Sequence, residues 1–348
     1  MLNRDSFENK LLDTVVPQNL PIEQKETIYS ELQKESDKLL PEKLYRYRVC
    51  NENSISAFVN DEIWVVKSNL MNDGFDTRPY MDMAEAEERI QQMWEPIIAP
   101  GFSEQLLSTE GLPPMFEVIQ QLPIDNLKEL MKQVYDFLVN EMTVASSHIP
   151  PITQQSIKIG CFTEEIYSPY MWGQYAANES GFALEYSFKE IPCVEPLFQG
   201  RDRIGYIYPV VYNDRRYKIP TEYVLYLLRY RILYQAINRT SLWNINPNLA
   251  ISSIMCPDET VATKIALHKS KLWEQEAEWR LFVSSKDTTF QNDNAGCCIK
   301  KPTAIYLGRR ISQLNEKVLR MLASEKGIPV YKMQLNDALP SYDLKVGN

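Results

Sequence analysis

Short strand-type runs recur along this chain between helical segments, but strands and helices do not alternate in a regular order. LYRYRV (Leu44–Val49) alternates apolar or aromatic residues with arginines, as a half-buried strand does. Residues 129–142, ELMKQVYDFLVNEM, instead place their apolar side chains at helical spacing. Strict alternation would favour a doubly wound parallel sheet. The irregular order predicts an α+β fold with a mixed, mostly antiparallel central sheet and flanking helices.

Helical patterns predict two additions to this sheet. Residues 1–40 have helical spacing punctuated by prolines, which indicates an N-terminal helical cap. Residues 41–348 are expected to form a single α+β domain. Between about 81 and 152 a proline-broken helical pattern predicts a helical insertion, ended by Pro150–Pro151. A second long helix is predicted over residues 259–280, turning to strand at its end.

The net charge and the hydropathy of the chain limit the classes of partner that we expect it to bind. The formal net charge is -9, whereas proteins that bind duplex DNA carry a basic surface, so duplex nucleic acid is not expected as the main partner. A local basic groove remains possible, because lysines and arginines cluster at Arg201–Arg203, at Arg215–Lys218 and around Lys264–Lys271. No apolar run approaches the roughly 20 residues that span a bilayer, and no apolar secretory core is present. We therefore expect a cytoplasmic protein without membrane contact.

The chain offers few residues for metal or thiol chemistry. Its six cysteines fit no zinc spacing and are expected as thiols in a reducing compartment. The two histidines, His148 and His268, are too few for a His-rich metal site. Common nucleotide, metalloprotease and hydrolase motifs are absent. No metal cofactor is expected.

Arginines and carboxylates in two early segments are the first candidates for a site. Arg46 and Arg48 are two apart on a strand and share one face, where guanidinium groups can hold phosphate or carboxylate. The alternative is an edge strand with solvated arginines. In MNDGFD (Met71–Asp76), Asn72, Asp73 and Asp76 could ligate a hard cation through oxygen, or the segment could be a turn held by its own Asn and Asp side chains.

A central aromatic segment, CFTEEIYSPYMWGQYA (Cys161–Ala176), is the second candidate. Ser168 and Pro169 predict the start of a short helix. On this helix Trp172 and Tyr175 share a face, and such aromatics beside a polar loop can stack a nucleobase or a nicotinamide ring. Packing in the core is the alternative.

A late charged segment, WEQEAEWRLF (Trp273–Phe282), is the third. Glu276, Glu278 and Arg280 are spaced by two and would share one face of a strand. Such a row can raise the pKa of one carboxyl while the arginine keeps the other ionised, which provides a general base or a stabiliser of developing positive charge. A solvated charged helix end is the alternative.

In combination, these blocks resemble the bacterial domain-of-unknown-function family 2971. The resemblance rests on LYRYR, on the segments around MNDGFD and CFTEEIYSPYMWGQYAANESGFALEY, and on K-x-x-x-W-x-x-E-x-E-W-R, and it spans about residues 44–308. Met71 and Gly74 depart from the family's usual Phe and Pro. Residues 81–152 look like an insertion of this member. The family itself implies no reaction.

The order of the parts is also similar to that of ADP-ribosyltransferase-like toxins. That similarity implies that Arg46 or Arg48 grips the dinucleotide phosphates and that Tyr175 or Trp172 clamps the nicotinamide. It further implies that Glu278 or Glu276 stabilises an oxocarbenium-like transition state or orients the acceptor.

Three hypotheses of function follow. The first is an NAD-consuming ADP-ribosyltransferase-like enzyme, in a bacterial toxin or phage-defence setting, with NAD as its substrate. The second is a metal-dependent enzyme that cleaves phosphodiesters with Asp73, Asp76, Glu276 and Glu278. The third is a non-enzymatic sensor or adaptor that reads a nucleotide or a protein partner, including a second copy of the chain.

Overall fold

The structure is a computed structural model that describes residues 4–98, 124–156, 158–189, 205–239, 255–283 and 295–347. Within these ranges the helices are α1 (Asp5–Asp13), α2 (Ile22–Leu39), α3 (Glu52–Val59), α4 (Met83–Ile98), α5 (Ile124–Ser156), α6 (Pro169–Tyr175), α7 (Thr221–Arg239), α8 (Val261–Leu267) and α9 (Gln313–Lys326). The strands are β1 (Leu44–Arg48), β2 (Glu62–Lys67), β3 (Lys158–Thr163), β4 (Phe182–Tyr186), β5 (Gly205–Pro209), β6 (Val211–Asn213), β7 (His268–Ser270), β8 (Glu278–Val283), β9 (Ala295–Ile299), β10 (Ala304–Leu307), β11 (Val330–Leu335) and β12 (Leu344–Val346).

A ten-stranded sheet organises the molecule. Its order is β12-β11-β10-β4-β1-β3-β2-β9, and β8 pairs with both β3 and β5. The β10–β11 pair is parallel, and the other pairs of this sheet are antiparallel. Strands β6 and β7 form a separate parallel pair. The predicted α+β fold with a mixed, mostly antiparallel sheet is therefore confirmed.

The sheet splits at β3. On one edge, β3 pairs with β8 from Ile159 to Thr163. On its other edge β3 pairs with two different strands. Strand β1 pairs with it only at Thr163, and β2 pairs with it only at Lys158 and Ile159. The β3 residues between these points therefore have no strand partner on that edge, and β1 and β2 diverge around a gap.

Helices and aromatic side chains cover both faces of the sheet. A large apolar cluster lies between the sheet and the helices α3 and α9, and it includes Phe58, Phe162, Phe182, Trp279 and Leu319. A second cluster around α6 contains Tyr45, Tyr47, Met171, Trp172, Tyr306 and Met333. Strand β1 is thus buried between neighbours on both edges and packed on both faces.

The N-terminal helices α1 and α2 pack behind β5 and β8. Phe7, Leu11 and Leu32 are fully buried in a cluster that also contains Tyr208. Arg4 donates from Nη1 to the carbonyl oxygens of Val210, at 2.7 Å, and Glu278, at 3.1 Å. These helices therefore brace the start of β8 from the side opposite the gap.

Helices α4 and α5 fall in the predicted helical insertion and pack with α7 and α8 in a cluster of their own. The prediction that Pro150–Pro151 ends this helical stretch was wrong, since α5 continues to Ser156. Tertiary contacts hold its last turn, because Gln154 Nε2 donates to the Asp76 carbonyl at 2.7 Å and Ser68 donates to the Gln154 carbonyl at 2.9 Å. None of the described helices is long and apolar enough to cross a membrane.

The predicted long helix over residues 259–280 was also wrong. Helix α8 ends at Leu267, and the chain then forms β7, a 3-10 turn over Lys271–Glu276, and β8. Ala277 adopts a left-handed conformation, with φ 44°, between the turn and the strand. Pairing of β7 with β6 replaces the continuing helix, which propensity and spacing alone could not reveal.

Candidate functional site

A cavity of about 300 Å³ opens at the split between β1 and β2. Two walls face it. Arg46 and Arg48 of β1 contribute one, and Glu276, Glu278 and Lys269 contribute the other, while further residues of β3, α6 and the loop 70–76 complete the lining. The structure therefore brings segments 46–48, 175 and 276–278 to one cleft, although they are far apart in sequence.

The arginine wall lies on an interior strand, so the edge-strand alternative does not apply. Arg46 is buried; its Nη2 donates to the carbonyl oxygen of Trp64, and its guanidinium lies 5.4 Å from the centre of the Phe162 ring. Arg48 is half-buried, and within the described ranges no carboxylate pairs with it. Burial, and then the neighbouring charge of Arg46, lowers the pKa of Arg48 to about 9. An anion bound here would neutralise this charge.

Gly160 of β3 makes room for the arginine wall. A methyl group placed on its Cα would lie 3.1 Å from the Val65 side chain and 3.5 Å from Nη1 of Arg46. An added methyl group would therefore crowd the Val65 side chain first and come into van der Waals contact with the Arg46 guanidinium.

The carboxylate wall is buried and held by one lysine. Glu276 and Glu278 are 3% and 4% exposed, so the solvated helix-end alternative is wrong. Lys269 Nζ lies 2.5 Å from Glu276 Oε2 and 2.9 Å from Glu278 Oε2. Glu276 ends the 3-10 turn and Glu278 begins β8, so the turn at Ala277 and Lys269, rather than one strand face, bring the two carboxylates together.

Arg280 stands behind this wall and does not line the cavity. Its side chain is fully buried. It donates from Nε to Glu278 Oε1 at 2.9 Å and from Nη1 and Nη2 to the two carboxylate oxygens of Asp76, at 2.8 Å and 2.6 Å. Arg280 was predicted with the catalytic group, but its position is that of a residue that orients Glu278.

The two glutamates differ in protonation behaviour. Burial favours the neutral acid, but Arg280 and Lys269 together hold the pKa of Glu278 well below its usual range. Burial and the charge of Glu278 raise the pKa of Glu276 in spite of Lys269. Burial alone would lower the pKa of Lys269, but Glu278, Glu276 and Asp76 raise it. Glu278 is thus a fixed anion, and Glu276 is the carboxylate better suited to accept a proton.

Tyr175 bridges α6 and the carboxylate wall. Its hydroxyl donates to Glu276 Oε1 and accepts from Asn72 Nδ2 at 3.1 Å. Burial and the hydrogen bond to Glu276 raise its pKa, so the phenol stays neutral. Its ring lines the cavity.

Trp172, the second predicted aromatic, lies elsewhere. It is fully buried, donates from Nε1 to the Ile166 carbonyl at 2.7 Å, and meets the Tyr47 ring edge-on at 5.0 Å. The core-packing alternative is therefore the one observed for Trp172. Helix α6, which starts at Ser168 and Pro169 as predicted, turns one aromatic into the core and presents the other to the cleft.

Of the carboxylates proposed as metal ligands, Asp76, Glu276 and Glu278 line the cavity, whereas Asp73 does not. Asp76 is bound by Arg280, while Asp73 accepts from the backbone N–H of Phe75 at 2.9 Å and closes a turn. Within the described ranges, no group of three or more His, Cys, Asp or Glu residues is placed to hold a metal ion.

Lys269 is the residue that sequence reasoning missed. It is the lysine of the K-x-x-x-W-x-x-E-x-E-W-R block, but a helix over this segment would have directed its side chain differently. Only the β6–β7 pairing places its amino group between Glu276 and Glu278. The position of Lys in the block was the available signal.

Fold and cleft together define an α+β protein with an electrostatically bipolar site: two arginines face three carboxylates that are held by two cations. A family model described as "Protein of unknown function (DUF2971)" matches residues 171–281. This match supports the family resemblance over a segment that contains Tyr175, Lys269, Glu276 and Glu278 and that covers less than half of the chain. No curated protein and no solved structure matches the chain.

Proposed function

We propose that the protein is an NAD-consuming enzyme of the ADP-ribosyltransferase type. One observation carries the proposal: Arg48 and Glu276, more than 200 residues apart in sequence, line the same cavity. A ligand that joins an anionic group to a centre of developing positive charge matches the charges of both walls. NAD has this character, since its diphosphate is anionic and its nicotinamide riboside becomes cationic as the glycosidic bond breaks.

The size of the cavity fits part of this substrate. About 300 Å³ is the lower end of the range for ligand pockets. It suits the nicotinamide riboside half, with the diphosphate at Arg46 and Arg48. The ring of Tyr175 would pack against the nicotinamide.

In the proposed reaction, the bond between ribose C1′ and the nicotinamide nitrogen breaks, and its electron pair neutralises the pyridinium. Glu278, kept ionised by Arg280 and Lys269, stabilises the oxocarbenium-like ribose. A hydroxyl or water then forms the new bond to C1′ and passes its proton to Glu276. The products are nicotinamide and ADP-ribose, free or attached to the acceptor.

A metal-dependent phosphodiesterase has less support. Asp76 and Glu278 already receive hydrogen bonds from Arg280, and Lys269 binds Glu276 and Glu278. A divalent cation at these oxygens would have to compete with two buried cations. A sensor would bind the nucleotide in the same cleft without turnover, so measuring nicotinamide release distinguishes it from the enzyme.

The setting is part of the proposal. An enzyme that destroys NAD would act in the cytoplasm, where its substrate is found, and a bacterial toxin or an antiviral defence effector would use such an activity. The nucleotide is the expected small-molecule partner.

The test measures, by chromatography, the nicotinamide that the purified protein releases from NAD. We expect release by the wild-type protein and a loss of at least a hundredfold in Glu276→Gln and in Glu278→Gln. Glu316→Gln, which alters a half-buried carboxylate of α9 that is paired with Arg320 and Lys332, is the control and should keep full activity. Binding of NAD without nicotinamide release would replace the enzyme by the sensor, and absence of both would reject the proposal.

A further inference from the structure

A second cavity, of about 350 Å³, adjoins the first. Lys269 lines both cavities. The loop 71–76 also divides them, because Asn72 and Asp76 face the first cavity, whereas Asp73 and Phe75 face the second. The second cavity therefore lies one side chain away from the carboxylate wall and is not used by the proposed reaction.

Aromatic rings held by cations form one part of its lining. Phe75 is 63% exposed, and the guanidinium of Arg216 lies 5.5 Å from the centre of its ring. Lys269 Nζ lies 5.3 Å from the centre of the Trp273 ring. Phe75 is too exposed to contribute to the core, and a flat aromatic ligand would cover it.

Arginines supply a local positive charge. Arg78, Arg215 and Arg216 line the cavity with exposed side chains, and across the described part of the chain none of the three is in an ion pair. Asp73 and Asp214 also line it, and Asp73 is engaged by the Phe75 backbone. Three arginines against two aspartates leave a positive site on a chain whose net charge is -9.

His268 adds a neutral hydrogen-bond acceptor to a lining that is otherwise rich in cationic donors. Its Nδ1 lies 2.6 Å from the carbonyl oxygen of Lys264, which requires a proton on Nδ1. Burial lowers the pKa of this imidazole, so the ring is neutral and Nε2 is a hydrogen-bond acceptor. The ring packs against Tyr217, at 5.0 Å between centres. An acceptor beside aromatic rings suits the amino group of a base.

We propose that this second cavity binds one nucleotide unit, with the base against Phe75 and Trp273 and the phosphate at Arg78 and Arg215. Stacking on aromatic and guanidinium planes together with a cationic rim is the chemistry by which unpaired nucleotides are held. The volume is within the range for small-ligand pockets. The unit is supplied either by a free nucleotide or by a single strand. A duplex keeps its bases stacked and cannot insert one without unpairing it.

The experiment measures binding in the absence of NAD. Affinities are determined for AMP, for a mixed-sequence single-stranded 12-mer and for the same 12-mer as a duplex. We expect millimolar or tighter binding of AMP or of the single strand, and a loss of at least fivefold in Trp273→Leu and in the double variant Arg78→Ala, Arg215→Ala. Arg320→Ala, an exposed arginine on α9, is the matched control and should bind as the wild-type protein does.

The relative affinities for AMP, the single strand and the duplex identify the source of the nucleotide or overturn the proposal. Tighter binding of the strand than of AMP identifies nucleic acid as the source, and equal binding per site identifies a free nucleotide. No binding of either, equal binding of the duplex, or binding that survives both variants with unchanged unfolding temperatures overturns the proposal. Because the binding assay contains no NAD and its variants lie outside the first cavity, the result stands apart from the test of NAD turnover.

Discussion

Arg280 holds both carboxylate oxygens of Asp76, at 2.8 Å and 2.6 Å, inside a site where neither side chain is more than 2% exposed. This bidentate pair fastens the loop 71–76 to β8. The same guanidinium orients Glu278 through Nε. The carboxylate wall therefore depends on a residue that does not touch the cavity.

Replacing Arg280 by Met should destabilise the protein strongly, because the buried Asp76 would lose its bidentate partner and Glu278 would keep only Lys269. Breaking a buried pair typically costs about 3–5 kcal/mol. Urea unfolding at neutral pH measures the loss. Arg320→Met, which breaks an exposed i,i+4 pair with Glu316, should cost about 0.5 kcal/mol or less. Equal losses in the two variants would contradict the role assigned to Arg280.

Two variants of Tyr175 should separate the contribution of its ring from that of its hydroxyl. Tyr175→Phe keeps the aromatic wall but removes the hydrogen bond to Glu276, so we expect kcat to fall roughly tenfold or more while KM changes little, since a hydrogen bond to a charged group is worth about 1.5–3 kcal/mol. Tyr175→Leu removes the ring as well and should raise KM. Steady-state kinetics of nicotinamide release compares the two. Identical KM values for both variants would argue against stacking on this ring.

Acidification should switch the site off at a higher pH than an ordinary glutamate would. The pKa of Glu276 is raised in the folded protein, so a base at this position is lost as pH falls through that raised value, above the ordinary value of about 4.3. Lys269 lowers the pKa of Glu276, and Lys269→Met should therefore move the acid limb of kcat/KM further up. A limb that stays at the same pH in this variant would show that another group controls the profile.

Diphosphate alone should stabilise the protein through the arginine wall. Arg48 is a cation without a carboxylate partner among the described residues, and bound anion should raise the unfolding temperature by a few degrees at saturating concentrations, where linkage gives about 2.7 kcal/mol at a hundred times Kd. Differential scanning fluorimetry with inorganic diphosphate measures the shift. Arg48→Ala should abolish it, and Arg309→Ala, at a half-buried pair with Glu179, should not. A shift unaffected by Arg48→Ala would place the anion elsewhere.

Periodicity was sufficient for the fold class and for elements whose ends are coded locally. Helix α6 begins at Ser168 and Pro169, as the capping serine and the proline at the first helical position predict. The break between α8 and β8 was not visible, because it depends on pairing with the distant strand β6. The continuation of α5 past Pro150 likewise depends on contacts of Gln154 with a distant loop.

The candidate site was predictable to the same extent as the fold: local patterns were visible in the sequence, and contacts between distant segments were not. Charge and spacing marked Arg46, Arg48, Glu276 and Glu278, and the structure places these four on one cavity. Spacing could not distinguish Trp172 from Tyr175, because only the packing of α6 decides which ring enters the core. Nor could it show that Lys269 links the glutamates, since that contact requires the β7 register and the turn at Ala277.

A crystal structure of the Glu276→Gln variant with NAD tests the central claim most directly. We expect density for the diphosphate within hydrogen-bond distance of Arg48, with the nicotinamide ring against Tyr175 and its ribose facing Glu278. A dinucleotide bound outside this cleft, or an empty cleft at saturating NAD, would contradict it.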